Sequence, residues 1–568
     1  MKKLMTLAAL FLVAACYHPI EIVGEGDVTS DGGRSCTLED FLAALPNCTQ
    51  NLVAGDYDET YTADPRDGWV FNRWENYCQQ APGNQCSFTV PGSVVDQFAG
   101  SSVLPLRAVF SRYKVTGPIL PASGYSMNIG GGDLGAAGYE VEEYFLHGAA
   151  PSYTPDLPLP TDGKLVVNQN PDSQSGEYRT RMLVVKPQDP ADFNGTVIVE
   201  WLNVSAGGDS PPDWIMAHNE FIRGGYAWIG VSAQAVGVNQ MINGTFAARY
   251  ATLNHPGDVY SYGIYSHAGM SVVSEADTLL AGLSVERVIA AGESQSAIRM
   301  VTYIDAVHPL ADAYDGFLVH SRFGAGAPIS SAPLPNHPFP VPAPIRDDLN
   351  VPVIVVMAEG DVIGSNLDAR QPDSTLIRLW ELAGTAHADA YTLAGISDNG
   401  DGSTDIQMFN YLRVPFNPFN CTNAMNAGAH HWQVQAAFRS LDTWVRTLAD
   451  PNEPTVAPAS AARLQVASTS PVVLARDVHG NALGGVRSPH VDAPVATLDS
   501  ENTGPFFCPL FGRTIPFPVP DVLALYPTKA DFLSQWEQSL DDLVSQGFLL
   551  QEDADLLEAA AQAWNFPN

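Results

Sequence analysis

The sequence predicts an α/β fold, a mostly parallel sheet flanked by helices, with a small β-rich module in front of it. Three observations predict this. From about residue 114 onward, short Val/Ile/Ala runs alternate with stretches of helical periodicity. Several runs, such as VIVEWLNV (197–204), VERVIAAG (285–292) and VPVIVVMAEGD (351–361), are nearly continuous in apolar residues. That is the pattern of strands buried on both faces. Residues 36–113 differ: they hold four cysteines and strand-like alternation in YDETYTA.

The N-terminus is MKKLMTLAALFLVAAC. Lys2 and Lys3 precede a short apolar stretch, so residues 1–15 are read as a signal peptide, too short to span a membrane. Val13-Ala14-Ala15-Cys16 resembles a bacterial lipobox. The resemblance implies that Cys16 is diacylated and tethers an exported lipoprotein to the membrane through lipid alone. Tyr17, rather than Asp, implies by the same resemblance the outer membrane, on its periplasmic or cell-surface face. Residues 16–35, rich in Gly, Asp and Ser, are read as the tether.

Six cysteines remain, and an oxidising compartment suggests disulfides. Proximity favours Cys36–Cys48 and Cys78–Cys86, leaving Cys421–Cys508. Within 36–113, the spacing of Gly68-Trp69, Trp74, Cys78, Cys86 and Ala108-Val109-Phe110 resembles a divergent bacterial repeat related to internalin B-repeats. That implies a small β-rich module used for spacing or adhesion, with no chemistry.

Residues 114–568 are read as one domain with insertions. Strands are expected at 139–148, 178–187, 195–204, 226–234, 285–292, 315–321, 351–361 and 376–384. Helices are expected at 213–225, 267–282, from Ser296 onward, at 430–449, and near 528–546 and 551–563. The first strands follow one another without helices, so one sheet edge is expected to be antiparallel. The proline-rich segment 324–348 and the Gly/Asn/Asp-bearing segment 394–429 break the alternation and are expected to roof a site.

A net charge of −34 repels phosphate backbones and excludes nucleic acid as a partner. Hydrophobic residues make up 45 % of the chain, enough for a sizeable core. The chemistry lies in AAGESQSAIRM. Gly292-Glu293-Ser294-Gln295-Ser296 puts a serine between small residues, after a buried strand and before a helix. Such a turn lifts a nucleophilic hydroxyl off the sheet, and the small flanking residues let the backbone pass.

A serine nucleophile needs a base, and the base needs a carboxylate to orient it. Asp361, on the turn after VPVIVVMAEGD, is the candidate acid, with Glu359 as its rival. His387, in LIRLWELAGTAHADAY, is the candidate base, with His430 and His431 as alternatives and His320 as a pocket residue. The oxyanion hole needs two backbone N–H groups. Gln295 is one candidate, and Asn203 or Val204 the other. SDNGDGSTD (397–405) is read as a solvated turn rather than a calcium loop, and Arg487 as part of a structural ion pair.

EWLNVSAGGDSPPDW, AAGESQSAIRM, RLWELAGTAHADAY and NALGGVRSPHVDAP together resemble a bacterial α/β-hydrolase-domain family, over about 115–566. The resemblance implies the α/β-hydrolase fold and a Ser–acid–His mechanism, carried by Ser294 and His387 with Asp361 or Glu359. The expected function is a serine hydrolase that cleaves small-molecule carboxylic esters with apolar or aromatic groups, with no cofactor or metal. An amidase or peptidase on the same triad, or a non-catalytic surface-binding lipoprotein, are the alternatives.

Overall fold

The computed structural model describes residues 15–79, 83–120, 127, 129–337, 340–364 and 366–567. The expected signal peptide, Ala15 apart, lies outside them. The chain divides into two compact units.

The first unit runs through Lys114 and takes in His147–Ala150 and Pro171–Glu177. Strands Gly26–Ser30, Tyr57–Pro65 and Gln85–Val90 form an antiparallel sheet. Ile20–Val23, Leu106–Ser111 and Val70–Glu75 form a second sheet. Alternation in Tyr57–Pro65 buries Tyr57, Glu59, Tyr61 and Ala63 on one face. The interior also holds Val28, Trp74, Leu106 and Phe110.

Residues 16–35, expected as a tether, are instead folded into this unit. Two of its strands lie there, with Ile20, Ile22 and Val28 buried. The short strands are punctuated by glycines, which hid their period-two pattern. Gly26 is required by packing, because a Cβ there would lie 2.3 Å from the Phe110 ring. Disulfides join Cys36 to Cys48 and Cys78 to Cys86, while Cys16 is unpaired and buried.

The second unit carries most of a nine-stranded sheet. In chain order its strands are β1 (Tyr113–Thr116), β2 (Tyr139–Ala150), β3 (Gly176–Pro187), β4 (Thr196–Trp201) and β5 (Ala227–Val231). β6 (Arg287–Glu293), β7 (Gly316–His320), β8 (Val353–Ala358) and β9 (Ile377–Leu382) follow. The spatial order is β9-β8-β7-β6-β4-β5-β3-β2-β1. β4 to β9 pair in parallel, and β3 meets β5 antiparallel. β4, β6, β7 and β8 are buried at every position, which is why their sequences are apolar runs rather than alternations.

Helices α1 (Pro212–Arg223) and α4 (His430–Ala449) pack on each other and on the central strands. α2 (Ser261–Ser274) and α3 (Gln295–Thr302) lie against β6. The chain closes with α5 (Lys529–Gln546) and α6 (Gln551–Ala563). α5 starts with a capping box between Thr528 and Asp531 and stops at Gly547, whose φ is 78°.

Of the two expected roofing segments, the described part of 324–348 forms no strand or helix. Residues 394–429 include the helix Ser403–Tyr411. Cys421 is joined to Cys508.

Candidate active site

β6 ends at Glu293, and the chain turns at Ser294 with φ 56° and ψ −115° before α3 begins. A positive φ at a non-glycine residue is strained by about 1–3 kcal/mol and must be held by its surroundings. The Ser294 N–H donates to the His320 carbonyl at 2.9 Å, and the Ser294 carbonyl starts α3 by accepting from Ile298 at 3.1 Å. Gly292 and Ser296 are small for a visible reason: a Cβ on Gly292 would sit 3.3 Å from the Ser296 backbone carbon and Cβ.

Ser294 Oγ lies 2.8 Å from His387 Nε2, and His387 Nδ1 lies 2.6 Å from Asp361 Oδ1. Asp361 is fully buried and its Oδ2 accepts the Ala358 N–H at 2.7 Å. Glu359 points elsewhere. It accepts the Gly384 N–H at 2.6 Å and pairs with Arg476 at 3.1 Å. Asp361, not Glu359, is therefore the carboxylate on the imidazole. His430 contacts His320, and His431 stacks on Tyr391, so neither reaches Ser294.

Burial alone lowers the His387 value, but the Asp361 charge and hydrogen bond and the Glu293 charge raise it to about 9. Burial alone raises Asp361, yet the His387 charge and hydrogen bond and the Ala358 N–H hold it below the usual carboxylate range. The pair is thus an imidazole made more basic by a carboxylate that stays ionised.

The two candidates for the second oxyanion donor separate. The Asn203 N–H is already donated to the Ser210 carbonyl at 2.9 Å, so it is removed from that role. The bridge between Asn203 and Ser210 closes the loop and makes the N–H inward-bonded. Val204 follows it and is buried, and Gln295 opens α3, where the helix end favours negative charge.

A family match agrees with this architecture. Residues 112–559 match the alpha/beta hydrolase domain family. The chain belongs to that family. No curated protein matches it in sequence. Among solved structures, esterase Est22 with p-nitrophenol is 14 % identical, with a TM-score of 0.26 over 47 % of this chain and 79 % of that one. A thermostable esterase from Pseudomonas putida is also 14 % identical, with a TM-score of 0.21 over 40 % and 66 %.

In this alpha/beta hydrolase domain, Ser294 and His387 open onto a cavity of about 180 Å³. Ile215, Met216, Phe507, Leu510 and Phe511 give it apolar walls, and Glu293 and His320 also line it. The Phe507–Phe511 wall comes from a loop fixed twice: the Cys421–Cys508 disulfide ties it covalently, and the Leu510 carbonyl accepts the Ala388 N–H, next to His387, at 2.9 Å.

Two parts of the site were missed in the sequence. The first is Glu293, whose Oε1 lies 3.5 Å from His387 Nε2 and whose Oε2 accepts Asn203 Nδ2 at 3.1 Å. Burial pushes its carboxyl up to about 8. An acidic residue at the end of an otherwise apolar strand, beside the serine, was the available signal. The second is Asp213, 2.8 Å from His320 Nδ1, while His320 Nε2 meets His430 Nε2 at 2.8 Å. Arg487, as expected, pairs with Asp492 at 2.6 Å.

Proposed function

We propose that this protein is a serine hydrolase that cleaves carboxylic esters through an acyl-enzyme intermediate. The observation that carries the reading is the unbroken relay from Asp361 through His387 to the strained Ser294, opening on an apolar-walled cavity. Ser294 Oγ attacks the ester carbonyl as His387 Nε2 takes its proton. Asp361 orients the imidazole and balances the charge it gains. The oxyanion is met by the N–H groups of Gln295 and Val204. His387 then gives the proton to the leaving alcohol, and water releases the acid by the same steps in reverse roles.

The walls favour esters with apolar or aromatic groups, and among the described residues lining the cavity none is a Lys or Arg that would hold a peptide C-terminus. The esterase Est22 and the Pseudomonas putida esterase are in keeping with this choice. The N-terminal leader and Cys16 support an exported lipoprotein of the outer membrane. Incorporation of labelled palmitate that is lost in Cys16→Ala tests that part.

The activity is tested with nitrophenyl esters of graded acyl length and matched anilides, on wild type and Ser294→Ala. The reading expects ester turnover well above anilide turnover, and a fall in the variant of up to about 10⁶-fold. Equal ester turnover in the two proteins would refute it.

A further inference from the structure

We propose that Glu293 holds the water that hydrolyses the acyl-enzyme, and so acts in the second half-reaction and not the first. The inference rests on the acyl-enzyme reading above.

Glu293 and Ser294 are consecutive, but the strained turn sends their side chains to the same cavity. Glu293 Oε2 is fixed by Asn203 Nδ2, which also donates to the Glu293 carbonyl at 3.1 Å. Asn203 is held in turn, because its Oδ1 accepts the Ser205 N–H at 2.8 Å. The carboxyl is therefore set by a rigid partner, and Oε1 is the atom left facing His387.

In the free protein His387 Nε2 bonds Ser294 Oγ. Acylation turns that hydroxyl into an ester oxygen and frees Nε2. With Glu293 ionised, above its raised value of about 8, Nε2 and Glu293 Oε1 are then two acceptors 3.5 Å apart, close enough for one water to reach both. One O–H points to Nε2 and the other to Oε1, which leaves an oxygen lone pair to attack the acyl carbon. The water's oxygen forms the new C–O bond and its proton passes to Nε2. The bond from the acyl carbon to Ser294 Oγ then breaks, and Oγ takes that proton back. Glu293 gains and loses nothing; it orients the nucleophile.

Acylation has no such need, since Ser294 is already positioned by its own turn. Asp361, the other carboxylate at the imidazole, is committed to Nδ1, and Asp213 is bonded to His320. Asn203 also makes the isosteric amide informative. Its Nδ2–H donor draws the amide oxygen of Glu293→Gln toward itself, turning the NH₂ to the water position and replacing an acceptor with a donor.

The experiment follows nitrophenyl acetate hydrolysis in stopped flow, with intact-mass analysis of quenched enzyme, on wild type and Glu293→Gln. Fluorophosphonate labelling of both is run alongside. Nitrophenolate leaves without a proton, so release of the first equivalent reports acylation. At a pH above about 9, where His387 is neutral in both proteins, the proposal expects labelling and the first-equivalent rate within about threefold of wild type, acyl-Ser294 accumulating, and its breakdown slowed at least tenfold. Unchanged breakdown, or equal losses in both steps, would overturn it. Should Glu293→Gln fail to fold by thermal melting, Glu293→Asp, which withdraws the carboxyl by one methylene, is read by the same criteria. A wild type that neither labels nor shows an acyl adduct overturns the acyl-enzyme reading and this inference together. A labelled wild type with unchanged breakdown in the variant overturns this inference alone.

Discussion

Two buried carboxylate–histidine pairs stand in the same domain, and they behave in opposite ways. Asp361 and His387 are 2.6 Å apart, and Asp213 and His320 are 2.8 Å apart. In the first pair the imidazole is raised to about 9 and the acid is held down. In the second, burial lowers His320 to about 3 and raises Asp213 to about 8. Distance does not distinguish them; their neighbours do. Asp361 is stabilised by a backbone N–H and stands beside an imidazole that a second carboxyl, Glu293, also makes basic. Asp213 is raised by burial alone, and at His320 burial outweighs the Asp361 charge that favours the proton while the His387 charge opposes it, so neither member is held in its charged form. Only the first pair is poised to accept a proton from Ser294.

The comparison breaks first at Asp361. Asp361→Asn keeps the shape but removes the charge, and kcat is expected to fall by about 10⁴-fold in an ester assay. The equivalent change in the other pair, Asp213→Asn, is expected to leave kcat within a few-fold. Removing Asp213 outright with Ala strands His320 Nδ1 and lowers stability by about 1–3 kcal/mol in urea unfolding. A loss of activity in Asp213→Asn comparable to that in Asp361→Asn would erase the distinction between the pairs.

Smaller effects sharpen the contrast. Replacing Cys421 and Cys508 together by Ala frees the loop bearing Phe507 and Leu510. KM for long-chain esters is expected to rise several-fold with a smaller change in kcat, since the loop supplies none of the hydrogen bonds among Asp361, His387 and Ser294 and meets the relay only through the Leu510 carbonyl and the Ala388 N–H. pH supplies the finest test. His387 acts as a base only when neutral, so kcat/KM falls as pH drops through its raised value. The Glu293 charge contributes to that rise, so the acid limb of Glu293→Gln is expected at lower pH. An unmoved limb would mean that the two groups do not sense each other.

Much of this arrangement was legible in the sequence, and the legible parts share a cause. Strands buried on both faces are apolar runs, so β6 and β8 stood out, and their ends located Ser294 and Asp361. α4 was expected at 430–449 and occupies that span, because it has enough turns to show its apolar stripe. α2 was expected at 267–282, yet the helix covers Ser261–Ser274 and a separate short one covers Ala276–Leu279. Its glycines weakened the local signal while serving packing: a Cβ on Gly263 would lie 2.5 Å from the Pro151 carbonyl oxygen. The strands within 16–35 were too short and too interrupted to show alternation. Glu293 was unreadable for a different reason. That it shares a cavity with Ser294 depends on the positive φ of Ser294, which periodicity does not encode. The Phe507–Phe511 wall reaches the site through tertiary contacts and a disulfide spanning 87 residues, beyond any local pattern.

The central claim is that Ser294 is the nucleophile because the Asp361–His387 pair, and not the Asp213–His320 pair, makes it one. The most direct measurement is mass-spectrometric mapping of a fluorophosphonate adduct on the full chain, in wild type, Asp361→Asn and Asp213→Asn. The account predicts an adduct on Ser294 in wild type and Asp213→Asn, formed much more slowly in Asp361→Asn. An adduct on another residue, or equal labelling of Ser294 in all three proteins, would contradict it.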